Sequence, residues 1–140
     1  MTILVADDDR SHVLLLSKHL IKKGFEVAGA YDAMQAFITA TRQRIDAVIL
    51  DIHMPAGTGY EVLKRMRSNT RSSLIPVIVL TGSLQPSEEQ KVKALGADGF
   101  LRKPVDLAQL DALIATLLGV PPDSAQSGAP ASGQSAPAKT

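Results

Sequence analysis

Asp7, Asp8, Asp51, Thr81 and Lys103 all stand at or just beyond the ends of short apolar runs, and as a set they suit the handling of a phosphoryl group. Clustered carboxylates favour a hard octahedral cation such as Mg²⁺, which keeps several waters and bridges to phosphate oxygens. A carboxylate can also be the nucleophile and form an acyl phosphate. A hydroxyl and an ammonium can hold the transferred oxygens, whose charge grows in the transition state. Taken singly, each of these residues is ordinary at a strand end, where it is solvated or caps a helix. Their meaning rests on whether the fold brings them together. Asp7, Asp8 and Asp9 raise the question most sharply, because two unit charges ~5 Å apart repel by roughly 3 kcal/mol at an effective dielectric of ~20. Solvent or a bound cation must offset that. Asp9 reads as a cap for the following helix rather than a metal contact.

The elements that would position these residues are legible. Ala47–Leu50 is apolar on both faces, as in a strand covered on both sides of a parallel sheet. The strand would carry Asp51 to the carboxyl edge of that sheet, where ligands bind in open α/β folds. Pro55, Gly57 and Gly59 then break the strand and force a loop. Thr2–Ala6, Phe25–Ala30, Ile75–Leu80 and Gly99–Leu101 read as the other strands. Between them lie helices at Arg10–Lys23, from Asp32 to about Gln43, from Thr58 to about Ser68, from Ser87 to Gly96 and from Asp106 to Gly119. Four of these open on capping pairs, Asp32 with Gln35, Thr58 with Glu61, Ser87 with Gln90 and Asp106 with Gln109. Gly24, Gly96 and Gly119 are placed as stops. Glu88 and Glu89 suit the positive end of the fourth helix dipole, and His12 and His19 read as surface histidines. Strands and helices alternate five times with short connections, the pattern of a parallel sheet covered on both faces. Right-handed crossovers favour the five-stranded order 2-1-3-4-5.

At 140 residues the chain suits one domain, over residues 1–119, and 45% hydrophobic residues is ordinary for a globular core. Residues 120–140 are mostly Ala, Ser, Pro, Gly and Gln and read as a disordered tail or linker. Fifteen basic against fourteen acidic residues give +1, which argues for neither nucleic acid nor membrane as a direct partner. There is no cysteine, which excludes disulfides and thiolate metal sites and suits a reducing cytoplasm. No signal peptide is visible, and no apolar run approaches the ~18 residues of a membrane span. A cytoplasmic location is expected.

In motif order and spacing, residues 2–119 resemble the receiver domain of bacterial two-component response regulators. The resemblance rests on the acidic pair Asp7-Asp8, on D-x-x-M-P from Asp51 to Pro55, on Thr81-Gly82, and on Phe100 three residues before Lys103-Pro104. It implies a flavodoxin-like (βα)5 fold. It also implies that Asp51 accepts a phosphoryl group from the phosphohistidine of a histidine kinase or histidine phosphotransfer protein. Asp7, Asp8, Asp51 and the main-chain carbonyl of His53 would hold Mg²⁺. Thr81 and Lys103 would hold phosphoryl oxygens, Gly82 would leave the approach open, and Phe100 would turn inward when Thr81 moves. A cis peptide is implied at Pro104. His53 and Ser83 would flank the path of a hydrolytic water, with the His53 side chain pointing to solvent. The last two helices and the fifth strand would carry the altered surface to a downstream protein, with Lys91, Lys93 and Arg102 suiting an acidic partner. The resemblance further implies a monomer or a weak phosphorylation-dependent dimer, and a signalling module that promotes its own phosphorylation and dephosphorylation rather than an enzyme.

Other readings fit less well. A haloacid-dehalogenase-type phosphatase could use Asp7 and Asp9 as D-x-D, but needs a later acidic pair where Thr81-Gly82-Ser83 stands. An FMN binder needs a first loop that cradles phosphate, whereas Asp7-Asp8-Asp9 would repel it. An unphosphorylated pseudo-receiver scaffold, or the N-terminal piece of a longer regulator or hybrid kinase, remain as alternatives.

Overall fold

In the computed structural model, which describes residues 1–55 and 57–120, the apolar runs form a single parallel sheet. The strands are β1 (Thr2–Ala6), β2 (Glu26–Ala30), β3 (Ala47–Asp51), β4 (Val77–Thr81) and β5 (Gly99–Arg102). They alternate with α1 (Arg10–Lys22), α2 (Ala33–Arg42), α3 (Gly59–Ser68), α4 (Ser87–Ala94) and α5 (Leu107–Leu118). The strand order is β2-β1-β3-β4-β5, as the sequence pattern predicts, and every pairing is parallel. The tail assignment at residues 120–140 falls, beyond Val120, outside the described residues.

Burial follows from this order. β3 and β4 are buried at every residue, while the edge strand β2 is not. Successive side chains along a strand point to opposite faces. Ile3, Val5, Ala47 and Ile49 therefore meet α1 and α5 through Val13, Leu16, Leu20, Leu110 and Ile114. Leu4, Ala6, Val48 and Leu50 face α2, α3 and α4 through Ala33, Ala36, Val62, Leu63, Met66 and Val92. Each fully buried Leu or Ile contributes ~1.5–3 kcal/mol of transfer free energy, so the two layers hold the sheet from both sides.

Local signals mark most boundaries. Asp9, Asp32, Thr58 and Asp106 cap α1, α2, α3 and α5 through their side chains. Gly24, Gly96 and Gly119 all have positive φ at helix ends. Three expectations need correction. β4 begins at Val77 rather than Ile75, because Pro76 has no N–H for a ladder and Ile75 N–H is taken by Ser72 O. Ser87 does not cap α4, whose N-cap is Pro86 with helical φ/ψ and no side-chain bond. Proline holds the backbone in helical geometry one residue early, so Ser87 lacks the extended conformation a cap requires. Gly59 does not break the chain but opens α3, and a Cβ there would lie 2.6 Å from Ile52 Cα and 2.7 Å from Asp51 O. Only glycine lets α3 start this close to the strand that carries Asp51.

Candidate functional site

Strand register builds the site. Ala6 lies opposite Leu50, Asp51 opposite Leu80, and Thr81 opposite Arg102. Asp7, Asp51, Thr81 and Lys103 therefore meet at one edge, although 96 residues separate the first from the last.

Lys103 joins the two buried carboxylates. Its Nζ donates to Asp7 Oδ2 at 3.0 Å and to Asp51 Oδ2 at 3.2 Å. Asp7 Oδ1 accepts from Asp9 N–H at 2.9 Å, and Asp51 Oδ1 from His53 N–H at 3.1 Å. Burial pushes the Asp51 carboxyl up, the Asp7 charge adds to that, and the donors from His53 and Lys103 only partly offset it, so Asp51 titrates above the ordinary range. Burial also acts against ionisation of Asp7, but donors from His12, Asp9 and Lys103 outweigh it and hold Asp7 below that range. Burial would lower the Lys103 ammonium, and the two carboxylates reverse this and raise it. The Lys103–Pro104 peptide is cis.

Asp8 is exposed and completes the acidic group: one oxygen each from Asp7, Asp8 and Asp51 lie within 4.8 Å of one another. Three hard oxygen donors at one open rim are the chemistry that a Mg²⁺ ion with retained waters requires. Asp9 stands apart from them, its Oδ1 accepting from Ser11 and His12 N–H as the cap of α1. The two helix-α1 histidines depart from expectation. His12 Nδ1 lies 2.6 Å from Asp7 Oδ2, and His19 Nε2 lies 2.8 Å from Asp111 Oδ1 on α5. Both point inward from the surface stripe assigned to them, because i+5 from Asp7 brings His12 back over the first turn, and His19 faces the neighbouring α5. In sequence, nothing but that spacing could have shown His12.

Thr81 is fully buried, and its hydroxyl accepts from Ser83 N–H at 3.0 Å. A side chain at Gly82 would meet nothing within 4 Å, so the approach there is open. Phe100 is half-buried, with the Arg102 guanidinium 5.1 Å from its ring centroid. Beside Thr81 sits a residue that sequence reasoning treated only as a dipole partner. Glu88 is buried and accepts from Tyr60 Oη at 2.8 Å, with His53 Nε2 at 3.5 Å. The His53 side chain is 60% exposed, so it leans on Glu88 from the solvent side. Burial pushes Glu88 up, but the Thr81 and Tyr60 hydroxyls and the His53 and Arg102 charges outweigh it and hold it low. The Tyr60 phenol is pushed up to about 12 by burial and by Glu88.

The basic surface expected of α4 and β5 is largely compensated. Lys91 Nζ sits 4.0 Å from the Tyr60 ring centroid, and Lys93 pairs with Glu89 at 2.9 Å. A cleft of about 530 Å³ between α2 and α3 is lined by Phe37, Glu61, Lys64, Arg65, Ser68 and Asn69, and touches none of the residues above. Chemistry, not cavity size, places the site at the strand tips.

The response regulator receiver domain family matches residues 3–115. The chain belongs to that family. Among curated relatives of this receiver, the transcriptional regulatory protein PrrA of Mycobacterium tuberculosis is 41% identical over 118 residues, covering 83% of this chain and 49% of PrrA. The chain thus spans about half the length of the curated relatives it matches first. Among solved structures, Vibrio cholerae chemotaxis protein CheY4 superposes with a TM-score of 0.78 at 33% identity, covering 84% of this chain and 98% of that one. The receiver domain of the Pseudomonas aeruginosa sensor histidine kinase PA1611, solved with a magnesium ion coordinated in its active site cleft, gives a TM-score of 0.77 at 29% identity over 84% of this chain and 97% of that one. No helix among the described residues of this receiver is long and apolar enough to cross a membrane.

Proposed function

We propose that Asp51 accepts a phosphoryl group from the phosphohistidine of a histidine kinase or histidine phosphotransfer protein. The observation that carries this reading is the buried Asp51 carboxylate, with the Lys103 ammonium at 3.2 Å and two further carboxylates within reach of a shared cation. Asp7, Asp8, Asp51 and the His53 carbonyl would hold Mg²⁺. Bound there, the ion supplies positive charge to the phosphoryl oxygens and offsets the repulsion among the acids.

The chain's own residues do the rest. An Asp51 oxygen attacks phosphorus, the P–N bond to the donor imidazole breaks, and the departing imidazole takes up a proton. Lys103 turns from bridging two carboxylates to holding a phosphoryl oxygen, and Thr81 donates to another. Thr81 moving inward leaves room for Phe100 to follow, which changes the surface of α4, β5 and α5 offered to a downstream protein. The donor must place its imidazole in line with Asp51. A groove of about 270 Å³ lined by Asp9, His12, Leu15, Lys103, Pro104 and Leu107 adjoins the site, with Leu14 and Leu15 more than half exposed beside it. That ridge is the surface on which a donor helix would rest. The receiver acts in this reading as a signalling module in the cytoplasm, as a monomer or a weak phosphorylation-dependent dimer, whose bond-making serves its own switching.

Intact mass after incubation with acetyl phosphate and Mg²⁺ tests the reading, with Asp51→Asn and metal-free samples alongside. The expected result is a single phosphoryl adduct that requires both Asp51 and Mg²⁺. No adduct from acetyl phosphate or from a panel of histidine kinases, in a folded protein, would leave an unphosphorylated scaffold instead.

A further inference from the structure

Asp7 and Asp51 share Lys103, but they depend on it unequally. On Asp51, Oδ1 has His53 N–H as its donor and Oδ2 has Lys103 Nζ at 3.2 Å. On Asp7, Oδ1 has Asp9 N–H, while Oδ2 has two donors, Lys103 Nζ at 3.0 Å and His12 Nδ1 at 2.6 Å. An ionised carboxylate only accepts, so His12 Nδ1 carries the proton in that contact. Were Lys103 to withdraw, Asp51 Oδ2 would lose its donor, whereas both oxygens of Asp7 would keep one. This matters for a side chain that is 1% exposed, because a buried charge left without a donor suffers the full desolvation penalty. The chain itself holds His12 in place. Asp9 Oδ1 accepts from Ser11 N–H at 3.0 Å and from His12 N–H at 3.3 Å as the cap of α1, and Asp9 N–H donates to Asp7 Oδ1 at 2.9 Å. Asp7, Asp9 and His12 thus close a ring of hydrogen bonds, and no part of it passes through β5.

We propose that His12 frees Lys103: as the second donor to Asp7 Oδ2, it lets the lysine leave Asp7 for a phosphoryl oxygen on Asp51 without stripping a buried carboxylate. His12 is a positioning residue, since it acts through Asp7 and touches neither Asp51 nor the group transferred. The asymmetry sets the direction of the lysine's move. Asp51 has no second donor on Oδ2, so Lys103 stays with that side of the site, and the contact it gives up is the one that His12 already duplicates. With an apolar residue at position 12, α1 would keep its cap, but the same move would leave Asp7 Oδ2 bare and hold the lysine back. The inference rests on Asp51 as the acceptor.

The test uses beryllium fluoride, a reversible stand-in for a phosphoryl group on a carboxylate, read from the amide shifts of residues 84–102. Mg²⁺ is raised until it saturates each variant, so that a change in affinity for the ion does not enter. His12→Leu is expected to half-saturate at a roughly fivefold higher concentration than the native chain, the lower end of ordinary coupling between sites. His12→Asn, whose amide nitrogen stands near the place of Nδ1, is expected to recover the native value, which a side chain that merely fills space would not do. His19→Leu, at the α1 histidine that pairs with Asp111 instead, is expected to match the native chain. Equal half-saturation of the native and His12→Leu chains overturns the inference, as does a loss that His12→Asn fails to recover, and both leave Asp51 standing as the acceptor. No binding by the native chain overturns the acceptor reading itself. Should His12→Leu fail to fold, His12→Gln, whose amide lies one bond further out, takes its place in the comparison with His12→Asn.

Discussion

Around Lys103, all four carboxylate oxygens of Asp7 and Asp51 have donors. Around Glu88, one buried oxygen has none, and a buried Arg102 nitrogen nearby also has none. The two clusters share one sheet edge and are built from the same kinds of residue. The first is assembled from three strand tips whose positions the sheet fixes. The second is assembled from the first turns of α3 and α4, which share no ladder with the sheet, and from Arg102 on β5. A satisfied cluster on rigid supports holds one geometry. An unsatisfied one bears the cost of a buried polar atom without a partner. On the proposed reading, the phosphoryl chemistry belongs to the first kind.

The comparison breaks most visibly at Lys103. Lys103→Met would leave Asp7 and Asp51 facing each other without a cation, at a cost of about 3 kcal/mol, the low end for breaking a buried pair because Lys103 is partly exposed. Urea unfolding with and without Mg²⁺ checks this: the loss should shrink when Mg²⁺ is present, and an unchanged midpoint would show the cluster to be solvated after all. Next in size, His12→Leu removes the donor that helps hold Asp7, and should weaken Mg²⁺ binding by about tenfold in calorimetric titration. His12→Asn, which keeps a donor near Nδ1, should restore most of it.

Asp51→Asn acts in the opposite sense. The folded state raises the Asp51 pKa, so Asp51 contributes most to stability below its ordinary value and that contribution is lost as pH rises through its folded value. At pH 7 the amide should therefore be more stable by about 1 kcal/mol, or roughly 3–6 °C in Tm. The gain should vanish in acid, where Asp51 is protonated anyway. Asp7 is lowered and works the other way, its contribution present above its ordinary value and lost as pH falls through its folded value. The smallest effect sharpens the second cluster. The Tyr60 phenol is pushed up to about 12 by burial and by Glu88, so in a phenolate absorbance titration Glu88→Gln should bring that group down toward 10.

The fold was legible because its signals are local. Strand ends, caps at Asp32, Thr58 and Asp106, and positive-φ glycines at 24, 96 and 119 each depend on a few adjacent residues. Asp7, Asp8, Asp51, Thr81 and Lys103 were legible because strand tips in this topology share an edge. Glu88 was not, since a glutamate in the first turn of a helix has a sufficient reason to be there. Its burial depends on Tyr60 and Thr81, 28 and 7 residues away along the chain. His12 was hidden for the same reason, its bond to Asp7 being indistinguishable in sequence from a helix surface. Ser87 misled because proline set the helix geometry before the serine could.

The lysine that spans 96 and 52 residues to reach Asp7 and Asp51 has one more consequence. Before β5 has docked at the edge of β4, no lysine ammonium stands beside Asp51, which is then only an aspartate at the end of an unfinished sheet. On the reading of Asp51 as the acceptor, a nascent or half-unfolded chain is expected to take no phosphoryl group. Modification would then report an intact sheet as well as a signal.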